Sequence, residues 1–370
     1  MARVFVVTSV HGRYDVRIFY KQCSSIASIG HDLTLVVQDG KGNENRGGVN
    51  ILDLGSPPPD RARRIFLSPW RMYRFLRSVS PDIIHFHDPE LLPLGYILKR
   101  GNHFVIYDSH EDFPRQVLTK HWISPVFRRM TSFLFEIIEN FIVKRLDAVI
   151  CATPFIAKRF KSINPNCVDI NNYPILAEYL PLSDRKSQPF SRTICYIGAM
   201  TRERGISELL DAVYLLQNVT LIMCGPFESQ AYEVELKAKP GWKYVDYRGI
   251  VGRTEVAQIM SDSAVGIVTF LPGPNHNDSQ PNKMFEYMSA GLPLIASFFP
   301  LWRQIIENSN CGLCVDPSSP QEIADAIETL LSNEMMCRQM GAAGRKAVSE
   351  RFNWSNEADK LLELYRNALK

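Results

Sequence analysis

Along most of this chain, short apolar runs alternate with stretches whose apolar positions recur every three to four residues. "RVFVVTS" at residues 3–9 is nearly continuous in apolar character, as expected of a strand buried on both faces. "DVRIFYKQCSSIASIG" follows at helical spacing and ends at Gly30, a residue suited to a helix C-cap. "DLTLVVQ", "VNILDLG", "PDIIHFH", "HFVIYDSH" and "LDAVICAT" extend the strand series, with helical stretches between most of them. Around residues 172–192 prolines and polar residues break the rhythm, as in a linker. A second alternation then runs through the strand-like "TICYIGA", "VTLIMCG", "KYVDYRG", "SAVGIVTF", "LPLIAS" and "CGLCVDP". Its helices include "GISELLDAVYLL", "PNKMFEYMSA" and "PQEIADAIETLL". The pattern predicts an α/β fold with two doubly wound parallel sheets. The expected domains are 1–172 and 193–352, joined by a linker at 173–192, with a helix at 353–370 packing back on the first domain. Two such sheets with facing strand ends would leave a deep cleft, and ligands of open α/β sheets gather at those C-terminal edges.

Bulk properties narrow the function. The 370 residues, 45% of them hydrophobic, suffice for two cores. Forty-two basic residues against 39 acidic ones leave a net charge of +3, so no general affinity for polyanions follows, and nucleic acid is not expected as a partner. The eight cysteines are scattered through apolar runs, which suits buried thiols in a reducing compartment. Cys311 and Cys314 form a lone CxxC without the second pair that zinc would need. "MARVFVVTSVHGRYD" turns polar too soon for a signal peptide, and no run approaches the ~20 apolar residues of a spanning helix. These features predict a cytoplasmic protein. "RARRIFLSPWRMYRFLRS" and "ISPVFRRMTSFLFEIIENFIVKR" interleave arginines with aromatic residues. They read either as core-facing helices with solvated arginines or as peripheral contacts to the anionic inner face of a membrane.

The candidate chemistry is concentrated in two stretches. In "NDSQPNKMFEYMSAGLPLIAS", residues 277–297, Pro281 fits a first helical turn, and the free N–H groups after it favour an anion such as phosphate. Asn282 and Glu286, four apart, share a helix face about one turn from each other. A diphosphate held near Asn282 and Lys283 would place a ribose within reach of Glu286, whose carboxylate can accept two hydroxyl hydrogen bonds. Asp278 precedes the helix, near the far end of the phosphates, and an exposed carboxylate with a loop aspartate is the plainer reading of both acids. In "CYIGAMTRERGISELL" a strand ends at Gly198, a loop carries Arg202 and Arg204, and a helix begins near Gly205. Such a turn can clamp phosphates with guanidinium groups or remain a solvated basic loop.

The first half offers further candidates. In "SVHGRYDVRIF", Gly12 would admit a ligand close to the backbone, and Asp15 can cap the helix. Arg17 then sits in the first turn, where a cation opposes the dipole unless an anion lies nearby. His110 and Glu111 lie just past a strand end, and Arg17 and Glu111 are assigned to the acceptor side. His85, His87 and Asp88 could ligate a metal, though a hydrated cap on a buried strand is the favoured reading.

Taken together, the blocks at 194–205 and 278–297 resemble the retaining glycosyltransferases of family 4, and the likeness extends over nearly the whole chain. The resemblance implies the GT-B fold, two Rossmann-like domains facing across a deep cleft. It implies a nucleoside-diphosphate sugar of UDP or GDP type as donor. The acceptor would be a glycan or a polyprenyl-diphosphate-linked sugar in bacterial polysaccharide assembly. No cofactor and no bound metal are implied. Arg204-Gly205 matches the lysine-glycine part of the family's phosphate loop, while Ala199 stands where an arginine is usual, so that Arg202 would have to substitute. Asp278 and Glu286 match the family's paired acids, the first shortened to aspartate, and Pro281 replaces a glycine. By the same resemblance His110 faces the donor sugar, and His110, Asp278 and Arg204 form the reaction centre. A nucleotide-sugar epimerase or hydrolase on the same scaffold, or a non-catalytic sugar-nucleotide-binding protein, are the alternatives.

Overall fold

The computed structural model describes residues 1–101, 103–118, 123–179, 190–273 and 276–369; much of the expected linker, at 180–189, lies outside them. The chain divides into two compact units, Met1–Asn172 with Trp354–Lys370, and Tyr173–Asn353.

The first unit is built on β1 (Arg3–Val7), β2 (Asp32–Val37), β3 (Glu44–Arg46), β4 (Val49–Asp53), β5 (Ile83–Phe86), β6 (Phe104–Ser109), β7 (Ala148–Cys151) and β8 (Cys167–Asp169). Their order across the sheet is β3-β4-β2-β1-β5-β6-β7-β8, parallel except for β3. β1 lies inside the sheet, with Val6 opposite Leu35 on one side and His85 on the other. The strand order reverses between β1 and β5, and a ligand crevice is expected where neighbouring strands send their chains to opposite faces. β3 and β8 have three residues each and too little apolar pattern to stand out in the sequence.

The second unit repeats the plan with β9 (Thr193–Ile197), β10 (Thr220–Cys224), β11 (Val245–Tyr247), β12 (Val265–Val268), β13 (Leu294–Ser297) and β14 (Gly312–Val315). All pairings are parallel, in the order β11-β10-β9-β12-β13-β14, and the reversal falls between β9 and β12. Alternate residues of β9 enter different cores: Ile194 and Tyr196 pack on one face, Cys195 and Ile197 on the other. That two-sided burial is why the strands read as continuous apolar runs. The cysteines carry no disulfide, and all but Cys314 are buried.

Helix Trp354–Ala368 belongs to the first unit. Its Glu357 is 2% exposed and accepts from the Asn171 backbone N–H at 2.7 Å, while Lys360 Nζ lies 3.0 Å from the same carboxylate. Replacing Glu357 with Ala strands a buried N–H, and should cost about 2 kcal/mol. Glu357→Gln keeps an acceptor oxygen and should lose less. Urea denaturation checks both, and equal stability of Glu357→Ala and wild type would remove this anchor.

Candidate active site

At the sheet edge of the second unit, β9 ends at Ile197, and Gly198 leads into a 3-10 turn over Arg202–Arg204. Gly205 then takes a left-handed conformation, φ 67°, before helix Ile206–Leu216. No other residue fits there: a Cβ on Gly205 would lie 2.1 Å from the Thr269 carbonyl oxygen. The turn is therefore pressed against the chain leaving β12, and Leu271 N–H donates to the Glu203 carbonyl at 2.8 Å. Gly198 matters for a different contact. A Cβ there would meet Arg204 Nη1 at 2.8 Å, so the guanidinium lies against bare backbone. Arg204 also sits over the Phe270 ring at 5.2 Å, and among the described residues no carboxylate pairs with it.

Phe270 links this loop to the next element. It packs edge-on to Trp302, whose indole N–H donates to the Ser279 carbonyl at 2.7 Å. Ser279 is two residues before Pro281, the N-cap of helix Asn282–Ser289. The Tyr287 hydroxyl of that helix accepts from Ile197 N–H at 2.9 Å, tying the helix to the end of β9. No side chain caps the helix, and the Asn282 and Lys283 N–H groups have no partner among the described residues. On its flank Lys283 Nζ pairs with Glu286, both partly exposed. The arrangement joins an uncapped helix mouth, the Arg204 guanidinium without a carboxylate partner among the described residues, and a lysine-carboxylate pair. It suits a ligand carrying both a diphosphate and a diol.

The candidates of this unit differ in their surroundings. Gly198, Arg204, Asn282, Lys283 and Glu286 are linked through β9, Phe270 and Trp302. Asp278 is exposed in the turn before the helix. Arg202 is engaged elsewhere: it pairs with Glu235 and lies over the Tyr232 ring at 4.5 Å.

In the first unit, the switch point between β1 and β5 holds a polar cluster. Asp108, at the end of β6, is fully buried. It accepts from Arg17 Nη2 at 2.9 Å and Gln22 Nε2 at 2.5 Å, with His85 Nε2 at 3.5 Å and His87 Nδ1 at 3.6 Å. Burial alone would favour the neutral acid, but the Arg17 charge holds Asp108 well below the usual carboxylate range. Arg17 is thus 4% exposed, and the anion that offsets its place in the first helical turn is an internal aspartate. Asp15 caps that helix, accepting from the Arg17 and Ile18 N–H groups at 2.9 Å each. His85 and His87 are buried under the sheet face, not hydrated caps as expected, because His85 Nδ1 meets the Tyr365 hydroxyl at 2.9 Å and His87 Nδ1 meets His110 Nε2 at 3.0 Å. His85, His87 and Asp108 bring three ligand atoms within 4.8 Å of one another. A metal there would have to share Asp108 with the guanidinium already bound to it.

Around this core lie buried Asp88 and more accessible groups. Asp88 accepts from Thr8 Oγ1 at 2.9 Å and Ser9 N–H at 2.6 Å, and it faces His11 Nε2 at 3.5 Å. Gly12 is exposed, with open space where a Cβ would stand. His110 is 19% exposed and stacks near His11, ring centres 4.9 Å apart. Glu111 points the other way, bonded to Gln116. Asp108 and His11 were not singled out by sequence; the usable signal was that Asp108 lies near the C-terminal end of β6, next to β5, and His11 in the loop that leaves β1.

Comparison with known proteins agrees with this geometry. A family model described as "Glycosyltransferase Family 4" matches residues 16–171, and one described as "Glycosyl transferases group 1" matches residues 191–333. Phosphatidyl-myo-inositol mannosyltransferase of Mycobacterium leprae is 26% identical over 211 residues, covering 54% of this chain and 52% of that protein. Capsular polysaccharide biosynthesis glycosyltransferase CapM of Staphylococcus aureus is 24% identical over 185 residues, 48% of this chain and 46% of the relative. The chain thus spans about half the length of the curated relatives it matches. Among solved structures, sucrose-phosphate synthase from Thermosynechococcus elongatus superposes with TM-score 0.80 at 17% identity, covering 100% of this chain and 99% of the other. HepE of Anabaena in complex with UDP-glucose gives 0.74 at 14% identity, covering 99% and 100%.

The histidine cluster has a measurable consequence. Burial, opposed by Asp108 and reinforced by the Arg17 charge, brings the pKa of His110 down to about 4 from 6.5. Burial and the neighbouring His85 push His87 well below its ordinary value. For His11 burial acts downward too, but the Asp15 hydrogen bond and the Asp88 charge outweigh it, and its pKa rises. Unfolded histidines take up protons below about pH 6.5, while folded His110 and His87 resist, so stability falls as pH drops from there toward 4. His11 contributes in the opposite sense but is outnumbered. The urea midpoint of wild type should drop between neutral pH and about pH 5, and His110→Gln should flatten that drop. Parallel profiles for the two proteins would contradict the assignment.

Proposed function

The chain belongs to the family-4 glycosyltransferases of the GT-B fold, and from that premise we propose that it moves a sugar from a nucleoside-diphosphate sugar to an acceptor hydroxyl with retention of configuration. The observation that carries this reading is the conjunction, on one sheet edge, of Arg204, which no carboxylate among the described residues pairs with, and the uncapped helix bearing Lys283 and Glu286. The diphosphate takes the Asn282 and Lys283 N–H groups and the Arg204 guanidinium, and Glu286 receives the ribose hydroxyls. Asp278 approaches the donor sugar from the preceding turn, and Gly198 leaves room for the arginine. In the reaction the anomeric C–O bond to phosphate breaks and a bond to the acceptor oxygen forms on the same face. The acceptor's proton passes to the leaving phosphate oxygen. Charge builds on that phosphate, and fixed cations and amides stabilise it without a divalent ion. In this reading His110, neutral at physiological pH, is the polar group offered to the donor sugar, and Gly12 leaves the backbone accessible to donor or acceptor. UDP and UDP-glucose bound to HepE support a uridine or related nucleotide, and the capsular relative supports a lipid-linked or growing glycan as acceptor.

Arg202 supports a second reading. Its pairing with Glu235 leaves Arg204 as the loop's only guanidinium toward the phosphates, which fits a sugar-nucleotide binder without turnover. A thermal-shift screen with UDP, GDP and ADP sugars, followed by transfer assays with the stabilising donor, separates the two. Binding without transfer to any glycan or polyprenyl-linked acceptor favours the binder. Stabilisation by none of the donors rejects both.

Two substitutions test the assignments. Glu286→Ala should weaken nucleotide binding about tenfold or more, since it removes charge-assisted bonds to the ribose; unchanged affinity by calorimetry would refute that role. Arg204→Ala should lower turnover about a hundredfold with a smaller effect on donor affinity, because the phosphate's charge grows in the transition state. Near-normal turnover would take Arg204 out of the reaction.

A further inference from the structure

Helix Pro125–Val143 is inside out. Its carboxylate Glu139 is fully buried and bonded to Arg159 Nη2 at 2.6 Å, while Phe127, Met130, Phe133, Leu134, Ile137 and Phe141 face solvent, each 48–65% exposed. Their three-and-four spacing makes one apolar stripe about 21 Å long. Helix Leu92–Leu98 lies beside it, and helix Arg61–Val79 lies beyond that; all three send their inner residues into one core cluster on the same sheet face. The outer surface of Arg61–Val79 adds Phe66, 77% exposed, and Trp70, 57% exposed.

The exposed charges on this layer are predominantly basic. Helices Arg61–Val79 and Leu92–Leu98 contain no acidic residue. Helix Pro125–Val143 has two, Glu139 inside and Glu136 tied to Arg115 Nη1 at 2.8 Å. Arg71, Arg74, Arg129, Lys144 and Arg145 are exposed. Lys144 and Arg145 also line a surface pocket of about 430 Å³ with Asn140 and Phe141 at the end of the apolar stripe. Among the described residues no helix is long and apolar enough to cross a membrane. We propose that this three-helix layer docks on an anionic lipid surface, with the stripe in the interface and the arginines and the Lys144–Arg145 pocket on headgroup phosphates. A second copy of the chain would cover the apolar stripe but would bring unmatched arginines together, which favours the lipid.

Sedimentation with sucrose-loaded vesicles tests the proposal without reading turnover, so it stands or falls apart from the sugar-transfer reading. Wild type should pellet with vesicles of equal parts phosphatidylcholine and phosphatidylglycerol at low salt, and much less with phosphatidylcholine alone. Phe133→Glu with Ile137→Glu, and separately Arg71→Glu with Arg74→Glu, should each lower partitioning at least about tenfold. All four positions are partly or fully solvent-facing, so circular dichroism should stay unchanged; the arginine pair serves if the apolar pair misfolds. Wild type that ignores anionic vesicles, or variants that bind as well as wild type, overturn the proposal. So does light scattering that finds a dimer which Phe133→Glu with Ile137→Glu breaks while no vesicle is bound, since the face would then join two copies.

Discussion

A parallel sheet with its first strand inside must send the chain to opposite faces on either side of that strand. The strand ends beside the reversal are left with backbone groups that no crossover covers. In both units the chemically active side chains collect there. β1 and β5 gather His11, His87 and Asp88; β9 and β12 gather Gly198, Arg204 and the Thr269–Leu271 segment. That topological constraint decides which loops of each unit meet.

The two edges are filled in opposite ways. In the first unit the buried charges are paired internally, although Gln22 Oε1, His85 Nε2 and His87 Nε2 find no hydrogen-bond partner among the described residues. Asp108 has its cation in Arg17, and Asp88 has its donors in Thr8 and Ser9. Breaking the buried pair by removing Arg17 would leave Asp108 uncompensated, at a cost of about 3–5 kcal/mol. In the second unit Arg204 has no carboxylate partner among the described residues and rests on an aromatic face, the Tyr196 hydroxyl and bare backbone, and two helical N–H groups have no acceptor among those residues. The proposed sugar-nucleotide reading puts its diphosphate against the groups left open at the second edge.

Most strands were legible in the sequence because burial on both faces makes them apolar throughout, and the glycines and arginines of the β9 turn were legible because loops punctuate such runs. What stayed hidden depended on distance along the chain. Arg17 looked like an arginine needing an external anion, since Asp108 is 91 residues away. Arg202 looked like a phosphate ligand, since Glu235 is 33 residues away. β3 and β8 were missed because "ENR" and "CVD" sit in no apolar run long enough to read. The Asn282–Glu286 face was readable because both residues belong to one local helix.

The inside-out helix shows the same limit from the other side. Its sequence spacing fixes an apolar stripe but not which way the stripe points, and in the fold Glu139 takes the inner side. Turning the stripe inward would strip Glu139 of Arg159 Nη2 and of the Tyr107 hydroxyl, 3.3 Å from it. Exposing each large apolar side chain to water forgoes about 1.5–3 kcal/mol, so six of them together outweigh the ~3–5 kcal/mol of one buried pair. The unit's own core makes no demand for large apolar residues at those outer positions, where polar ones would serve its packing equally. Their size and register therefore answer to an environment outside the fold, and the predominantly basic charge around them gives that environment its sign.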